Sequence, residues 1–227
     1  MMEIQRLRAG RLHIAACGRG RRLIVVLGFD GPFEEWMAQT SLHYDATVAI
    51  VSNIDWDNDL SPGPAPGQPP GSPDCGGQAP EFARTLLGHV VPGIRKATGT
   101  ADDAELTLVG ISMSGLFGMW LWAQRPEVAN LVSISGSFWY DGFIEWISEN
   151  RPYADKFYFS LGEKEKESKN PRLAAVDSAT KHIYGLMNVI GAEVSFEYNE
   201  GNHFGPLIER IEKAITNLLT DYGTDRV

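Results

Sequence analysis

Two serines stand where a strand-like run meets a helix-like run, in the stretch GISMS at residues 110–114. A serine hydroxyl becomes a nucleophile when a base takes its proton, and a tight strand-to-helix turn exposes it. In such a turn the residues two before and two after the serine are small. Ser112 has Gly110 and Ser114 at these positions, whereas Ser114 would have the bulky Leu116. We therefore predict that Ser112 is the nucleophile; a turn that serves only packing is the alternative.

A serine nucleophile needs a base, and the sequence contains five histidines. His203, in NEGNHFGP, follows the last predicted strand and precedes the last predicted helix. This is the position of the base where the catalytic residues follow the chain order serine, acid, histidine. We predict His203 as the base, with a histidine in a surface turn as the alternative. The others fall in strand-like, helix-like or early connecting segments and read as packed or solvated side chains: His13, His43, His89 and His182.

Three glutamates follow the strand-like run at residues 157–161, in SLGEKEKESKN. A triad acid must reach the Nδ1 proton of the histidine, where it fixes the tautomer and stabilises the imidazolium. Only one of the three needs to point inward, and the others are then solvated. We predict Glu165, the third residue after Gly162, as the acid, with Glu163 as the second choice and Glu167 as the remaining candidate.

Backbone N–H groups are expected to hold the negative oxygen of the tetrahedral intermediate. Such an oxyanion hole needs two preorganised donors. The amide of Met113, directly after the nucleophile, is predicted as the first. The second is expected after the strand-like run at residues 22–27, at Gly28 or Phe29. Both assignments rest on position in the chain.

Aromatic residues near these positions predict a substrate-binding wall. Phe138 and Trp139 follow a strand-like run, and Trp56 lies on a long loop. Large rings offer a flat apolar surface that suits acyl or aryl groups. Asp57, on the same loop, is a candidate for binding a substrate hydroxyl or ammonium group. Core packing of the rings and a solvated Asp57 are the alternatives.

These residues require a scaffold that brings strand ends together, and the sequence predicts one. Strand-like and helix-like runs alternate, which indicates a mainly parallel sheet covered by helices on both faces. Sites in such sheets lie beyond the carboxyl ends of the strands. The predicted strands are 11–16, 22–27, 47–52, 105–109, 131–134, 157–161 and 193–198. The predicted helices are 33–39, 80–97 (bent or divided at Pro92), 114–124, 141–149, 171–190 and 206–219.

A Pro- and Gly-rich segment at residues 53–79 separates two of these elements. It could link two domains, but its flanks read as parts of one sheet. We therefore predict a functional surface loop. A chain of 227 residues is then most economically one α/β domain over residues 1–227.

The net charge, the hydropathy pattern and the cysteine spacing argue against several classes of partner and site. The formal net charge is −9, whereas nucleic acids and anionic membranes attract basic surfaces, so we expect neither as a partner. The N-terminal region lacks the apolar core of a signal peptide, and no run approaches the roughly 18 apolar residues of a membrane span. Cys17 and Cys75 lack metal-type spacing; we expect reduced thiols in a cytoplasmic protein, with a disulfide between them as the alternative.

With these residues in place, the chain resembles an esterase family of α/β-hydrolases. This family includes esterase D-type S-formylglutathione hydrolases, feruloyl esterases, mycolyltransferases and siderophore trilactone esterases. The segments that carry the resemblance are GISMSGLFGMW, SISGSFWYDGF, YFSLGEKEKESKNPR, EGNHF and, in the long loop, WDNDLSPGPAP. The resemblance implies an α/β-hydrolase fold without a separate lid domain, with Ser112 as nucleophile and His203 as base. Many relatives have Gly where this chain has Ser114.

The function that follows is hydrolysis of a small-molecule carboxylic ester through a Ser-His-Glu triad and an acyl-enzyme, without metal or cofactor. The resemblance to siderophore esterases makes a trilactone one of several substrates to test. Two alternatives stay open: an acyltransferase with the same triad, and a non-catalytic binding protein on a hydrolase scaffold. The sequence leaves the ester and the oligomeric state undetermined.

Overall fold

Strands and helices alternate along the chain, as the sequence predicts. The computed structural model describes residues 3–28, 31, 33–68, 70–150 and 156–219. The strands are β1 (Gln5–Ala9), β2 (Leu12–Cys17), β3 (Arg22–Leu27), β4 (Ala46–Ser52), β5 (Pro64–Ala65), β6 (Cys75–Gly76), β7 (Glu105–Ile111), β8 (Asn130–Ile134), β9 (Lys156–Gly162) and β10 (Glu193–Asn199). The helices are α1 (Glu34–Tyr44), α2 (Ala79–Thr85), α3 (Val91–Thr98), α4 (Met113–Trp122), α5 (Phe143–Glu149), α6 (Pro171–Ala174), α7 (Val176–Val189) and α8 (Leu207–Leu219).

Within the described residues, eight strands form one sheet in the order β1-β2-β4-β3-β7-β8-β9-β10. β2 runs antiparallel to both of its neighbours, and all other pairs are parallel. β5 and β6 form a separate short antiparallel pair inside the long loop. The mainly parallel sheet confirms the predicted α/β class. The carboxyl ends of β3, β7, β8, β9 and β10 therefore share one edge of the sheet.

The central strands are apolar on both sides because helices cover both faces of the sheet. Side chains alternate along β3, so Leu23, Val25 and Leu27 pack on one face and Ile24 and Val26 on the other. The first face is covered by α2, α3, α4, α5 and α7, and the second by α1 and α8. The site-bearing strand ends are thus held by two hydrophobic layers.

Several elements differ from the sequence prediction. The short strands β5 and β6 were not predicted in the long loop, and the helix predicted at 171–190 is divided at Ala175 into α6 and α7. β1 was not predicted, because it is an edge strand in which exposed arginines interrupt the apolar pattern. The helix predicted at 80–97 is divided by a π-helical turn at Leu86–Val90, which ends just before Pro92. Proline lacks the N–H that a regular α-helix requires at this point, so the division there agrees with the predicted break. α1 extends to Tyr44, beyond its predicted end at residue 39.

The turn from β7 into α4 brings backbone against backbone. A Cβ atom on Gly110 would lie 2.2 Å from the Ser114 carbonyl oxygen, and one on Gly115 would lie 2.6 Å from Ser133 Oγ. The first contact is with backbone and cannot be relieved by rotating a side chain. The small residues that marked this turn in the sequence are therefore required by its packing.

Gly110→Ala is expected to destabilise the protein by about 1–3 kcal/mol, because the added methyl group overpacks the turn. Urea unfolding followed by circular dichroism measures the change in free energy of unfolding. Gly185→Ala in α7 is the matched control, since a Cβ atom there meets nothing within 4 Å and alanine favours a helix. Equal stability of the two variants would show that the turn accommodates a larger residue.

Candidate active site

Ser112 occupies a strained turn at the carboxyl end of β7. Its backbone has φ 54° and ψ −121°, outside the regions that non-glycine residues favour. Hydrogen bonds hold it there: its N–H donates to the Ile134 carbonyl at 2.9 Å, and its carbonyl accepts from Gly115 at 3.0 Å and from Ser137 at 3.0 Å. Ser112 therefore lies in a strained conformation between the carboxyl end of β7 and the start of α4.

Ser114 is buried beneath the same turn. Its Oγ accepts a hydrogen bond from the Ile111 N–H at 2.7 Å and lies 2.9 Å from the Leu27 and Ile111 carbonyl oxygens. The side chain is fully buried and connects β7 to β3. Ser114 therefore has a structural role in closing the turn, and its hydroxyl bonds to buried backbone groups.

His203 and Glu165 meet at the ends of β10 and β9. His203 Nδ1 lies 2.9 Å from Glu165 Oε2. Backbone hydrogen bonds join the two loops, from Glu163 N–H to the Asn199 carbonyl and from Lys164 N–H to the Gly201 carbonyl. The loops approach so closely that a Cβ atom on Gly162 would lie 2.7 Å from the backbone of Asn202.

Of the three candidate glutamates, the structure places only Glu165 against the histidine. Its side chain turns inward where a 3₁₀ turn begins (Glu165–Glu167), and it is 7% exposed. Glu163 and Glu167 are both exposed to solvent. The first choice made from the sequence is therefore the one that the geometry favours.

Hydrogen-bond donors surround the Glu165 carboxylate. Oε1 accepts from Ser135 Oγ at 2.5 Å and from the Gly162 N–H at 2.6 Å, while Oε2 faces His203. Burial raises the pKa of Glu165, but the hydrogen bonds to His203, Ser135 and the Gly162 amide outweigh it, so this pKa lies below its ordinary value. Glu165 is thus a carboxylate at neutral pH, and as an acceptor it places the ring proton of neutral His203 on Nδ1.

The lowered pKa of Glu165 predicts a pH-dependent contribution to stability. A carboxyl group with a depressed folded-state pKa stabilises the fold above its unfolded pKa, and this stabilisation disappears as pH falls through the folded pKa. The free-energy difference between wild type and Glu165→Gln is therefore expected to narrow below about pH 4.5, the ordinary value. Urea unfolding from pH 3 to 7 (roughly the span over which carboxyl groups titrate) measures it. A constant difference across this range would contradict the prediction, and the exposed Glu163→Gln serves as control.

A cavity of about 600 Å³ lies beside Ser112 and His203. It combines apolar and charged walls. The apolar lining residues are Met113, Trp139, Leu173, Val176 and Phe204, and the charged ones include Asp57, Lys164 and Glu167. Phe204 is 89% exposed at the cavity, so an apolar ring next to His203 is open to a ligand.

Hydrogen bonds hold the long loop at residues 53–79 against the wall of this cavity. Arg172 stacks over the Trp139 ring at 5.1 Å, forms an ion pair with Asp141 at 2.8 Å and donates to the Pro66 carbonyl at 3.0 Å. Gln68, also on the loop, accepts from Asn170 Nδ2 at 2.7 Å. Asp57, Gln68 and Cys75 from this loop line the cavity. The segment at residues 53–79 is therefore a surface loop beside the candidate site, as predicted.

Two predicted substrate contacts do not lie in the cavity lining. Phe138 is 1% exposed and stacks on Phe143 in the core, because consecutive residues point in different directions and its neighbour Trp139 takes the cavity side. Trp56 is partly buried and packs against the hydrophobic core. The structure thus favours core packing for both, whereas Trp139 and Asp57 do line the cavity.

The predicted oxyanion donors have different outcomes. Met113 lines the cavity and is the first residue of α4, where an N–H has no partner within the helix. The Gly28 N–H donates to the Val51 carbonyl at 3.0 Å. This corrects the prediction for Gly28, because the β3–β4 ladder continues one residue past the predicted strand end and occupies that donor. Phe29, the other candidate, lies outside the described residues.

Sequence reasoning missed three polar residues near the site. Ser137 Oγ lies 3.2 Å from Ser112 Oγ, and Ser135 contacts Glu165. Both follow β8 directly, within the segment SISGSFWY that begins in the last two residues of that strand; this position at a strand end was the available signal. Arg210 of α8 donates to Ser135 Oγ at 2.8 Å; its helical pattern alone indicated no role at the site.

The described residues contain no group of three or more His, Cys, Asp or Glu side chains that could hold a metal ion. Cys17 and Cys75 are both buried and free, and burial raises the pKa of Cys17 to about 11. In the same part of the chain, no helix has the length and apolar character needed to cross a membrane.

Comparison with known proteins finds similarity in structure. No family model and no curated sequence matches the chain. The IroE-like serine hydrolase from Shewanella oneidensis is 14% identical, with a TM-score of 0.81 over 99% of this chain and 82% of that chain. Siderophore hydrolase EstA from Aspergillus nidulans is 16% identical, with a TM-score of 0.75 over 96% of this chain and 93% of that one. The enterobactin and salmochelin hydrolase IroE is 12% identical, with a TM-score of 0.68 over 97% and 95%.

Each of these three neighbours covers 96–99% of this chain. In the part of the chain that the structure describes, no separate lid domain covers the cavity. Strand order, the strained strand-to-helix turn and the structural similarity agree, and the protein therefore has the α/β-hydrolase fold.

Proposed function

We propose that this protein is a serine esterase that hydrolyses a carboxylic ester through Ser112, His203 and Glu165. The observation that carries the proposal is the 2.9 Å contact between His203 Nδ1 and the buried Glu165 carboxylate, next to a cavity that Ser112 also lines. With its proton on Nδ1, His203 has a free lone pair on Nε2, which is the state a general base requires. Solved structures named as serine hydrolases and esterases share the fold.

The reaction follows from these positions in two steps. Ser112 Oγ attacks the ester carbonyl while His203 Nε2 takes its proton; the C–O bond to the alcohol then breaks, and the alcohol leaves with that proton. Water next attacks the acyl-enzyme, gives a proton to His203 and releases the acid, and Ser112 regains its hydroxyl proton. The Met113 N–H at the start of α4 stabilises the oxyanion in both steps, helped by the positive end of the helix dipole.

The cavity favours a small-molecule ester with an apolar or aromatic part. Trp139 and Phe204 offer ring surfaces, while Asp57 and Lys164 can pair with polar groups. Two neighbours of the same fold are named siderophore hydrolases and another a ferulic acid esterase. A substrate panel therefore includes short acyl esters, aryl esters, acylated sugars and siderophore trilactones.

Hydrolysis of p-nitrophenyl acetate tests the proposed function. We expect release of nitrophenolate and acetate in equal amounts, with a burst equal to the enzyme concentration if deacylation is the slower step. A folded protein that turns over neither this ester nor any member of the panel would contradict the proposal. Preferential transfer of the acetyl group to an added alcohol would support the acyltransferase alternative instead.

Replacing the acid tests the choice among the glutamates. Glu165→Gln is expected to lower kcat by about 10²- to 10⁴-fold, because an amide cannot stabilise the imidazolium or hold the required tautomer. Glu163→Gln is the matched control, because the Glu163 side chain is exposed and His203 Nδ1 faces Glu165 instead. The kcat of this variant should stay close to that of wild type. The reverse order of effects would identify Glu163 as the acid.

A further inference from the structure

A buried arginine stands behind the candidate acid. Arg210 of α8 is 3% exposed. Its Nη2 donates to Ser135 Oγ at 2.8 Å and lies 3.3 Å from Ser160 Oγ and 3.4 Å from the Ser160 carbonyl oxygen. Nε of the same side chain is buried and has no hydrogen-bond partner in the part of the chain that the structure describes. A guanidinium in this position is costly, because burial removes it from water and its nearest partners are uncharged.

Arg210 is connected to Glu165 by two hydrogen bonds that share the Ser135 hydroxyl, and the donor of each bond is fixed. A guanidinium can only donate, so Ser135 Oγ accepts from Arg210. The single hydroxyl proton of Ser135 is then directed to Glu165 Oε1, 2.5 Å away. Because the Gly162 N–H also donates to Oε1, this oxygen is fully occupied, and Oε2 is the atom that faces His203.

Backbone strain places the Ser135 hydroxyl in this chain of contacts. Ser135 has φ 50°, in the left-handed region that non-glycine residues rarely adopt. Its N–H donates to the Ser160 carbonyl at 2.7 Å, which holds the strained conformation, and its side chain is fully buried. Strain of this kind persists where the surroundings over-determine it, and it concentrates at functional sites.

We propose that Arg210 and Ser135 are positioning residues that fix the Glu165 carboxylate toward His203. The proposal rests on the proposed function for its kinetic consequence, but its structural core, the orientation of Glu165 toward His203 Nδ1, does not require a particular reaction. In this arrangement Arg210 acts through Ser135, and Ser135 acts through Glu165 Oε1. Removing either one should release the same constraint.

Four variants test this relay, by which we mean the hydrogen bonds that run from Arg210 through Ser135 to Glu165. Ser135→Ala removes the hydroxyl, Arg210→Met removes the guanidinium at similar length, Arg210→Lys keeps the charge and a donor, and the Ser135→Ala/Arg210→Met double variant removes both. The matched control is Ser133→Ala in β8, two residues before Ser135, which deletes a buried hydroxyl that has no hydrogen-bond partner among the described residues. Circular dichroism selects folded proteins; if Arg210→Met does not fold, Ser135→Ala and Arg210→Lys decide.

Two readouts separate positioning from a merely structural role. The first is kcat and KM for p-nitrophenyl acetate. We expect kcat to fall about 10- to 100-fold in Ser135→Ala and Arg210→Met, by analogy with the loss on removing the hydrogen-bond partners that orient metal-ligating side chains, with KM nearly unchanged. Arg210→Lys should recover part of this loss. The double variant should be no slower than the worse single variant, because both changes release one constraint.

The second readout is the downfield proton resonance of His203 Nδ1–H in the resting protein, assigned by its absence in His203→Ala. It should shift or broaden in Ser135→Ala and Arg210→Met and stay unchanged in Ser133→Ala. If this resonance and kcat are unchanged in folded Ser135→Ala, the relay is overturned. If wild type hydrolyses no ester yet the resonance responds as expected, the proposed function fails and the relay stands.

Discussion

Ser112→Ala is expected to lower the turnover of p-nitrophenyl acetate by about 10⁴-fold or more, because the acyl-enzyme can no longer form. KM of any residual activity carries little information, since the residual reaction would proceed without the nucleophile. The free energy of unfolding should change little or rise. The backbone of Ser112 is already strained, and deleting its hydroxyl adds no further strain. Steady-state kinetics on the folded variant give the measurement.

Ser114→Ala is the matched control, two residues away in the same turn. Its hydroxyl bonds to buried backbone groups of β7 and β3, so its loss should cost about 1–3 kcal/mol of stability, while kcat stays within about tenfold of wild type because the nucleophile is intact. Loss of turnover in Ser114→Ala with retention in Ser112→Ala would show that the wrong serine was chosen.

His203→Ala is expected to have an effect of similar size, about 10⁴-fold or more on kcat, because Ser112 then has no base. The Ser112→Ala/His203→Ala double variant should be no slower than either single variant, since the two residues act as a unit. Steady-state rates of the three variants measure this. Multiplicative losses would indicate that the two residues act independently.

His89→Ala is the control for histidine replacement, because His89 is exposed at the π-helical turn and is not among the residues that line the cavity beside Ser112. Its kcat should equal that of wild type. If His89→Ala and His203→Ala retained equal activity, another base would have to serve Ser112.

Much of the site could be predicted from local patterns. Small residues at fixed spacing identified the turn at Ser112, since packing permits only small side chains at Gly110 and Ser114. The parallel order of the strands brought His203 and Glu165 to one edge of the sheet. The choice among the three glutamates was left open by the sequence, because nothing in the pattern GEKEKE shows which side chain turns inward; the contact between Glu165 and His203 comes from the fold.

Other features depend on tertiary contacts that local patterns do not record. The Gly28 amide reads as a free loop donor, but its pairing with Val51 is set by the register of a strand nearly two dozen residues away. Phe138 and Trp139 are adjacent aromatic residues, and only the turn after β8 decides which one faces the cavity. Pattern alone cannot make that choice.

Arg210 shows how a weak signal can be overlooked. It lies four residues before Ala214 and eight before Leu218, both of which are buried in the core. An i, i+4 spacing places these residues on one face of a helix. A charged residue on the apolar stripe was therefore visible in the sequence, but its partner Ser135 comes from a distant strand end, and only the fold brings the two together.

The most direct test of the central claim is the site at which a fluorophosphonate probe attaches, mapped by peptide mass spectrometry on folded protein. The probe reacts with a serine whose proton is taken by a base, so it reports nucleophile and base together. We expect one adduct, on Ser112, that is absent in Ser112→Ala and forms much more slowly in His203→Ala. An adduct on Ser114 or Ser137, or no adduct on folded wild type, would contradict the assignment of Ser112 and His203.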